Sequence, residues 1–101
     1  EFRRVLFRSP MEPENQKALL PLLQDVRWLR PEKTIWLYTG CLWEEIQDSP
    51  LLPLLDVVVD GPFHMAERDM SLAYRGSRNQ RIIDVPASLK AGFVVPWDNA
   101  V

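Results

Sequence analysis

The chain of 101 residues has one cysteine, Cys41, and one histidine, His64. A single thiol closes no internal disulfide, and that usage fits a reducing, cytoplasmic compartment. No CxxC pair and no cysteine–histidine cluster is present, which excludes the zinc-ribbon and zinc-finger spacings. Glycine is scarce too, with four in the chain. The phosphate-cradling patterns GxGxxG and GxxxxGKS/T are missing, as is the GxSxG nucleophile elbow. No apolar run approaches the roughly 18 residues of a membrane span. Basic charge is short as well. The formal net charge is −2, and without residues 1–9, which hold three arginines and one glutamate, it is −4. That body carries no electrostatic footprint for nucleic acid. His64 reads as a loop histidine between Phe63 and Met65, and Cys41 as a structural thiol just past a strand. No residue is assigned a catalytic or metal-ligating role.

What the chain does contain is an alternation of helical and extended patterns. Pro13 suits the first turn of a helix, where a missing N–H costs nothing. Leu19, Leu22, Leu23, Val26 and Leu29 then fall at helical spacing. Pro21 interrupts that stripe, so a kinked helix or two shorter pieces are expected, ending before Pro31. Residues 34–38, TIWLY, read as a buried strand between Pro31 and Gly40. A short helix is expected over 43–47. Residues 56–60, DVVVD, give the strongest strand pattern, and three consecutive valines suggest burial on both faces of a parallel sheet. A polar loop follows over 64–79. Ile82, Ile83 and Val85 suggest a third strand, residues 86–90 one helical turn stopped by Gly92, and residues 93–95 a last short strand. Such order implies an α/β fold with a mostly parallel sheet. The first helix has no strand assigned before it, so the fold reads as cut open on that side.

Two features stand out as candidate sites. The first is the pair of strand ends, Tyr38-Thr39-Gly40 and Asp60-Gly61-Pro62. Open α/β sheets bind ligands beyond the carboxyl ends of their strands, so Thr39 and Asp60 are expected at one edge. The second is residues 75–81, RGSRNQR, where Arg75, Arg78 and Arg81 alternate with amides and a hydroxyl. Gly76 suits a tight turn there, and Asn79 and Gln80 carry enough donors and acceptors to tie the loop to the sheet. Arg75 or Arg81 is expected to meet Asp60, Asp69 or Asp84.

PMEPENQKALLPLL, KTIWLYTG, LLDVVVDGPF and SLAYRGSRNQRIIDV, in that order, resemble the C-terminal half of the activating proteins of anaerobic ribonucleoside-triphosphate reductase. The resemblance spans residues 10–98 and leaves 99–101 as a tail. It implies the C-terminal part of a partial (β/α) radical S-adenosylmethionine barrel. It also implies a parent that cleaves S-adenosylmethionine at a 4Fe-4S cluster, places a glycyl radical on the large reductase subunit, and is cytoplasmic. By resemblance, Thr39, Gly40 and Asp60 face S-adenosylmethionine, and Arg75, Arg78 and Arg81 face the reductase. The family carries its cluster on CxxxCxxC, which this chain lacks, so the chain itself is expected to hold no cluster and to be inactive. Where some homologues have lysine after the Asp-Gly pair, this chain has Pro62. The alternative is a small non-catalytic α/β binding module that uses residues 75–81 as its contact surface.

The resemblance starts at Pro10. Residues 1–9, EFRRVLFRS, are what GAG TTC AGA CGT GTG CTC TTC CGA TCT encodes, a string similar to a widely used sequencing-library adapter. They are expected to be an adapter-derived tail.

Overall fold

The computed structural model describes residues 4–9, 11–72 and 74–97. Four strands form one sheet in the order β1-β2-β3-β4: Arg4–Arg8, Thr34–Tyr38, Val57–Asp60 and Arg81–Asp84. The helices are α1 (Pro13–Leu29), α2 (Trp43–Ile46) and α3 (Val85–Ala91). Short 3-10 turns cover Leu52–Leu54 and Met65–Glu67.

Helix α1 opens with Pro13 at its first turn and runs as one span through Pro21. Pro21 lies on the exposed side, while Leu23 is fully buried and Leu19, Leu20 and Val26 pack on the same core. Burial of that stripe offsets the roughly 3 kcal/mol that an interior proline costs a helix. The chain leaves the helix at Arg30, whose N–H donates to Val26 O at 2.8 Å.

Strands β2 and β3 are parallel, as the alternation predicts, with Leu37 opposite Val58 at the centre, and β1, to which the sequence assigned no strand, joins them in parallel. Every residue of β3 is buried, which explains its unbroken apolar run. Strand β4 departs from the expectation because it runs antiparallel to β3, with Val58 opposite Ile83. The described residues of 61–80 contain no crossover helix and stay tied to the end of β3, so the chain re-enters the sheet from the side it left. Val85, assigned to a strand by its sequence, instead opens α3. Asp84 caps that helix by accepting from Ala87 N at 3.0 Å, and Gly92 ends it at φ 83°.

Residues 93–95 do not form the expected strand. Pro96 makes a single bridge to Ile83, and Ser88 Oγ accepts from Val95 N at 2.8 Å. A proline without an N–H cannot extend that pairing into a ladder. The fold is also not open before α1. Arg4–Arg8 pairs along the whole of β2, from Arg4 opposite Thr34 to Arg8 opposite Tyr38. This pairing says where the segment lies and leaves the origin of its codons untouched.

The two faces of the sheet differ. Ile35, Leu37, Val58 and Ile83 meet α1 and α2 in a core that includes Leu23, Trp43, Ile46, Leu51 and Leu52. On the other face, Trp36, Val57 and Val59 are covered by Tyr38, Ile82 and two loop residues, Tyr74 and Trp97. No helix among the described residues is long and apolar enough to cross a membrane.

Candidate functional site at the carboxyl ends of the strands

Strands β2 and β3 end side by side. Thr39 N donates to Val59 O at 3.1 Å, extending the ladder by one bond. Thr39 Oγ1 then accepts from Cys41 N at 3.1 Å, and Gly61 N donates to Cys41 O at 2.8 Å. Two strand ends are thereby fastened to each other at the turn. A cavity of about 660 Å³ opens above them, lined by Ser9, Thr39, Gly40, Gly61, Tyr74 and Arg75 among others. That is within the roughly 300–1,000 Å³ of small-molecule sites. Arg8 lies over the Tyr38 ring at 5.3 Å and also lines the cavity. Burial raises the Tyr38 phenol above its ordinary range, so the ring stays neutral. Ser9 Oγ is the one buried side-chain polar atom among the described residues with no hydrogen-bond partner. Such an orphaned hydroxyl at a cavity wall is available to a ligand.

Thr39 and Gly40 therefore line the cavity as the sequence suggests. Asp60 emerges at the same edge of the sheet but does not face the opening. It is fully buried, and its Oδ2 accepts from Trp43 N at 2.7 Å. Arg81 closes over it, with Nε 3.1 Å from Oδ1 and Nη2 bonded to Oδ2. Arg81 Nη2 also meets Glu44 Oε1 at 2.9 Å. Paired carboxylates hold the guanidinium pKa above its ordinary value. Asp60 thus locks the start of α2 and β4 beside the site.

The loop over 61–80 is tied down much as its residue types suggest. Asn79 Nδ2 donates to Pro62 O at 2.7 Å, and Gln80 Nε2 to Gly61 O at 3.1 Å. Gln80 Oε1 accepts from Gly76 N at 2.9 Å and from Ser77 N at 3.2 Å. Arg75 Nη1 donates to the carbonyls of Arg78 and Gln80, at 3.0 and 2.6 Å. Of the three arginines, Arg75 lines the cavity, Arg81 sits on Asp60, and Arg78 points outward, 4.0 Å from Asp69. Gly76 does not hold the left-handed backbone that would demand glycine; what a side chain there would meet is the Phe63 ring, 3.1 Å from the Cβ position.

Sequence reasoning missed Tyr74 and Ser9 as cavity residues, while Gly61 lies in a strand end that it singled out. Gly61 sits at φ 91°, a conformation that favours glycine and was readable from the Asp-Gly-Pro turn. Tyr74 reaches the site through a left-handed backbone at φ 71°, which nothing in a tyrosine announces.

The model of the 4Fe-4S single cluster domain family matches residues 9–83. The anaerobic ribonucleoside-triphosphate reductase-activating protein of Vibrio cholerae is 48% identical over 76 residues, 73% of this chain and 49% of that protein. Its namesake in Haemophilus influenzae is 43% identical over 76 residues, again 73% of this chain and 49% of the relative. The protein of that name in Enterobacteria phage T4 is 37% identical over 74 residues, 73% of this chain and 47% of the relative. The chain spans about half the length of the curated relatives it matches. No solved structure matches.

The donor set does not fit a 4Fe-4S cluster. Such clusters are held by several thiolates, and Cys41 is the single cysteine of the chain. Its backbone is spent in the turn that joins Thr39 to Gly61. Among the described residues, no three or more histidine, cysteine or acidic side chains are grouped to hold a metal ion.

Proposed function

The chain belongs to the 4Fe-4S single cluster domain family, and we propose that it is the C-terminal part of a protein that activates anaerobic ribonucleoside-triphosphate reductase. The parent is an oxidoreductase of the radical S-adenosylmethionine class, and the sheet is the C-terminal part of its barrel. It acts in the cytoplasm and works on the glycyl-radical subunit of the reductase. The cluster-binding thiolates belong to the part of the parent that this chain does not span. By itself the chain is inactive.

The observation that carries this reading is the joint closure of two strand ends around one cavity, within a segment 48% identical to a named activating protein. In this reading Thr39 and Gly40 form the floor against which S-adenosylmethionine lies. Thr39 supplies a hydroxyl, and Gly40 leaves open space, since nothing lies within 4 Å of where its Cβ would be. Asp60 acts behind them, holding α2 and β4 in place. Arg75 and Arg78 present the loop toward the reductase. The binding-module alternative draws less support, because the family match runs to residue 83 and so takes in this loop together with the sheet.

A chimera tests this. Residues 10–98 are joined behind the N-terminal half of the Vibrio cholerae relative, and the product is reconstituted anaerobically with iron and sulfide. It should cleave S-adenosylmethionine and activate that organism's reductase. A folded, iron-loaded chimera that leaves S-adenosylmethionine intact would contradict the proposal.

A further inference from the structure

The cavity at the strand ends is lined by two arginines and, among the described residues, by no aspartate or glutamate. Arg8 enters its wall from the end of β1, and Arg75 from the loop before β4. Neither forms an ion pair among the described residues. Arg8 lies over the Tyr38 ring, and burial keeps that phenol neutral, so it does not offset the charge. Arg75 commits Nη1 to two carbonyls and leaves Nε and Nη2 without a hydrogen-bond partner among the described residues. The carboxylates of the neighbourhood are engaged elsewhere. Arg81 covers Asp60, His64 meets Glu67 at 2.9 Å, and Asp69 accepts from Ser71 Oγ at 2.6 Å.

The uncharged part of the wall is rich in donors as well. Ser9 is only 8% exposed, and its Oγ has no partner. Thr39 Oγ1 accepts from Cys41 N and leaves its own O–H unspent among the described residues. A buried hydroxyl without a partner is costly, and an acceptor that reached it would remove that cost. Tyr74 and Phe63 supply apolar walls, and nothing lies within 4 Å of where a Gly40 Cβ would be. The rings of Tyr74 and Trp97 meet edge-on, 5.6 Å apart, which fixes the Tyr74 wall.

We propose that this cavity binds a small organic oxyanion, a carboxylate or a phosphate ester carried on a flat apolar body. Arg8 and Arg75 neutralise the head, Ser9 and Thr39 donate to its oxygens, and the aromatic wall receives the body. A planar guanidinium presents paired N–H donors that match the oxygens of either head. Charge of one sign on low-dielectric walls focuses the field on an incoming anion, whereas a cationic head would meet two like charges. The volume of about 660 Å³ holds one such molecule. The inference concerns the chain as it stands, whatever the origin of residues 1–9. It goes beyond the activase reading and stands without it: the chimera above begins at residue 10 and lacks Arg8 and Ser9, so each test can fail alone.

The test titrates the full chain with phenyl phosphate, benzoate, benzyl alcohol and benzylamine, while the backbone N–H resonances of Ser9, Gly40 and Gly61 are followed. At least one of the two anions should move these resonances saturably, and the stronger of them identifies the head. The alcohol and the amine should bind at least about tenfold more weakly than that anion. Equal binding of anion and alcohol, or no saturable shift with either anion, would overturn the proposal. Arg8→Gln leaves the backbone pairing of β1 in place and should weaken the better anion at least about tenfold. Arg30→Gln, at the exposed end of α1, should leave it unchanged. Unchanged affinity in a folded Arg8→Gln, or an equal loss in both variants, would rule out the site. If Arg8→Gln does not fold, Ser9→Ala decides. It removes a hydroxyl without a partner, so the unfolding midpoint should not fall while anion affinity drops several-fold. Undiminished affinity there would equally overturn the proposal.

Discussion

Arg81 and Asp60 sit opposite each other in the pairing of β3 with β4, and the guanidinium closes over a carboxylate that has no contact with water. The same carboxylate accepts from Trp43 N, so one buried group fixes two neighbouring elements. Removing Arg81 would leave a buried charge without its partner. Arg81→Ala should therefore destabilise the fold by about 2–4 kcal/mol, below the upper range for fully buried pairs because Arg81 keeps some water. Asp60→Asn, which retains an acceptor for Trp43 N, should cost less than Asp60→Ala. Urea unfolding midpoints check both orderings.

Glu44 joins this pair from outside. Its hydrogen bond from the Arg81 side chain, followed by its backbone bond, holds its carboxyl below the ordinary glutamate range. A folded-state value below the unfolded one stabilises the fold above the ordinary range. That contribution disappears as pH falls through the lowered value. The stability difference between the protein and its Glu44→Gln variant should be present at neutral pH and vanish in strong acid. A difference that persists in strong acid would show that Glu44 acts through packing.

Two glycines beside the site should respond differently to alanine. Gly61 is at φ 91°, so Gly61→Ala should cost about 1–2 kcal/mol whatever the space around it. Gly76→Ala meets only the Phe63 ring, which is half exposed and free to move aside. Its effect should stay within about 0.5 kcal/mol. Thermal unfolding of the two variants measures the contrast.

Most of this framework was legible in the residues themselves. TIWLY and DVVVD announce β2 and β3 because buried parallel strands need unbroken apolar runs. The ties made by Asn79 and Gln80 follow from their donor and acceptor inventory. The direction of β4 was not legible, because it depends on residues 61–80 folding back without a helix. Nor was the burial of Asp60, since an aspartate at a strand end looks the same whether it meets a ligand or an arginine. The strand formed by Arg4–Arg8 was read as a basic tail because residues 1–9 resemble an adapter-encoded string and the family resemblance starts only at Pro10. Aromatic faces hold Arg4 and Arg8 instead.

Residues 75–81 are tied to the sheet yet stand at the cavity mouth, where a partner would approach. In a full-length relative, substitution of the arginine that matches Arg75 by alanine should weaken reductase activation. Cleavage of S-adenosylmethionine uncoupled from the reductase should continue. Loss of both activities in a folded protein would place the loop in the catalytic site.

The central claim is that this chain carries the carboxyl-end cavity of an activating protein but not its cluster ligands. Anaerobic reconstitution of the 101-residue chain with iron and sulfide, followed by addition of S-adenosylmethionine, tests it most directly. The account predicts no stoichiometric iron or sulfide and no cleavage of S-adenosylmethionine, because Cys41 is the sole thiol. A stoichiometric cluster on the chain alone would contradict it.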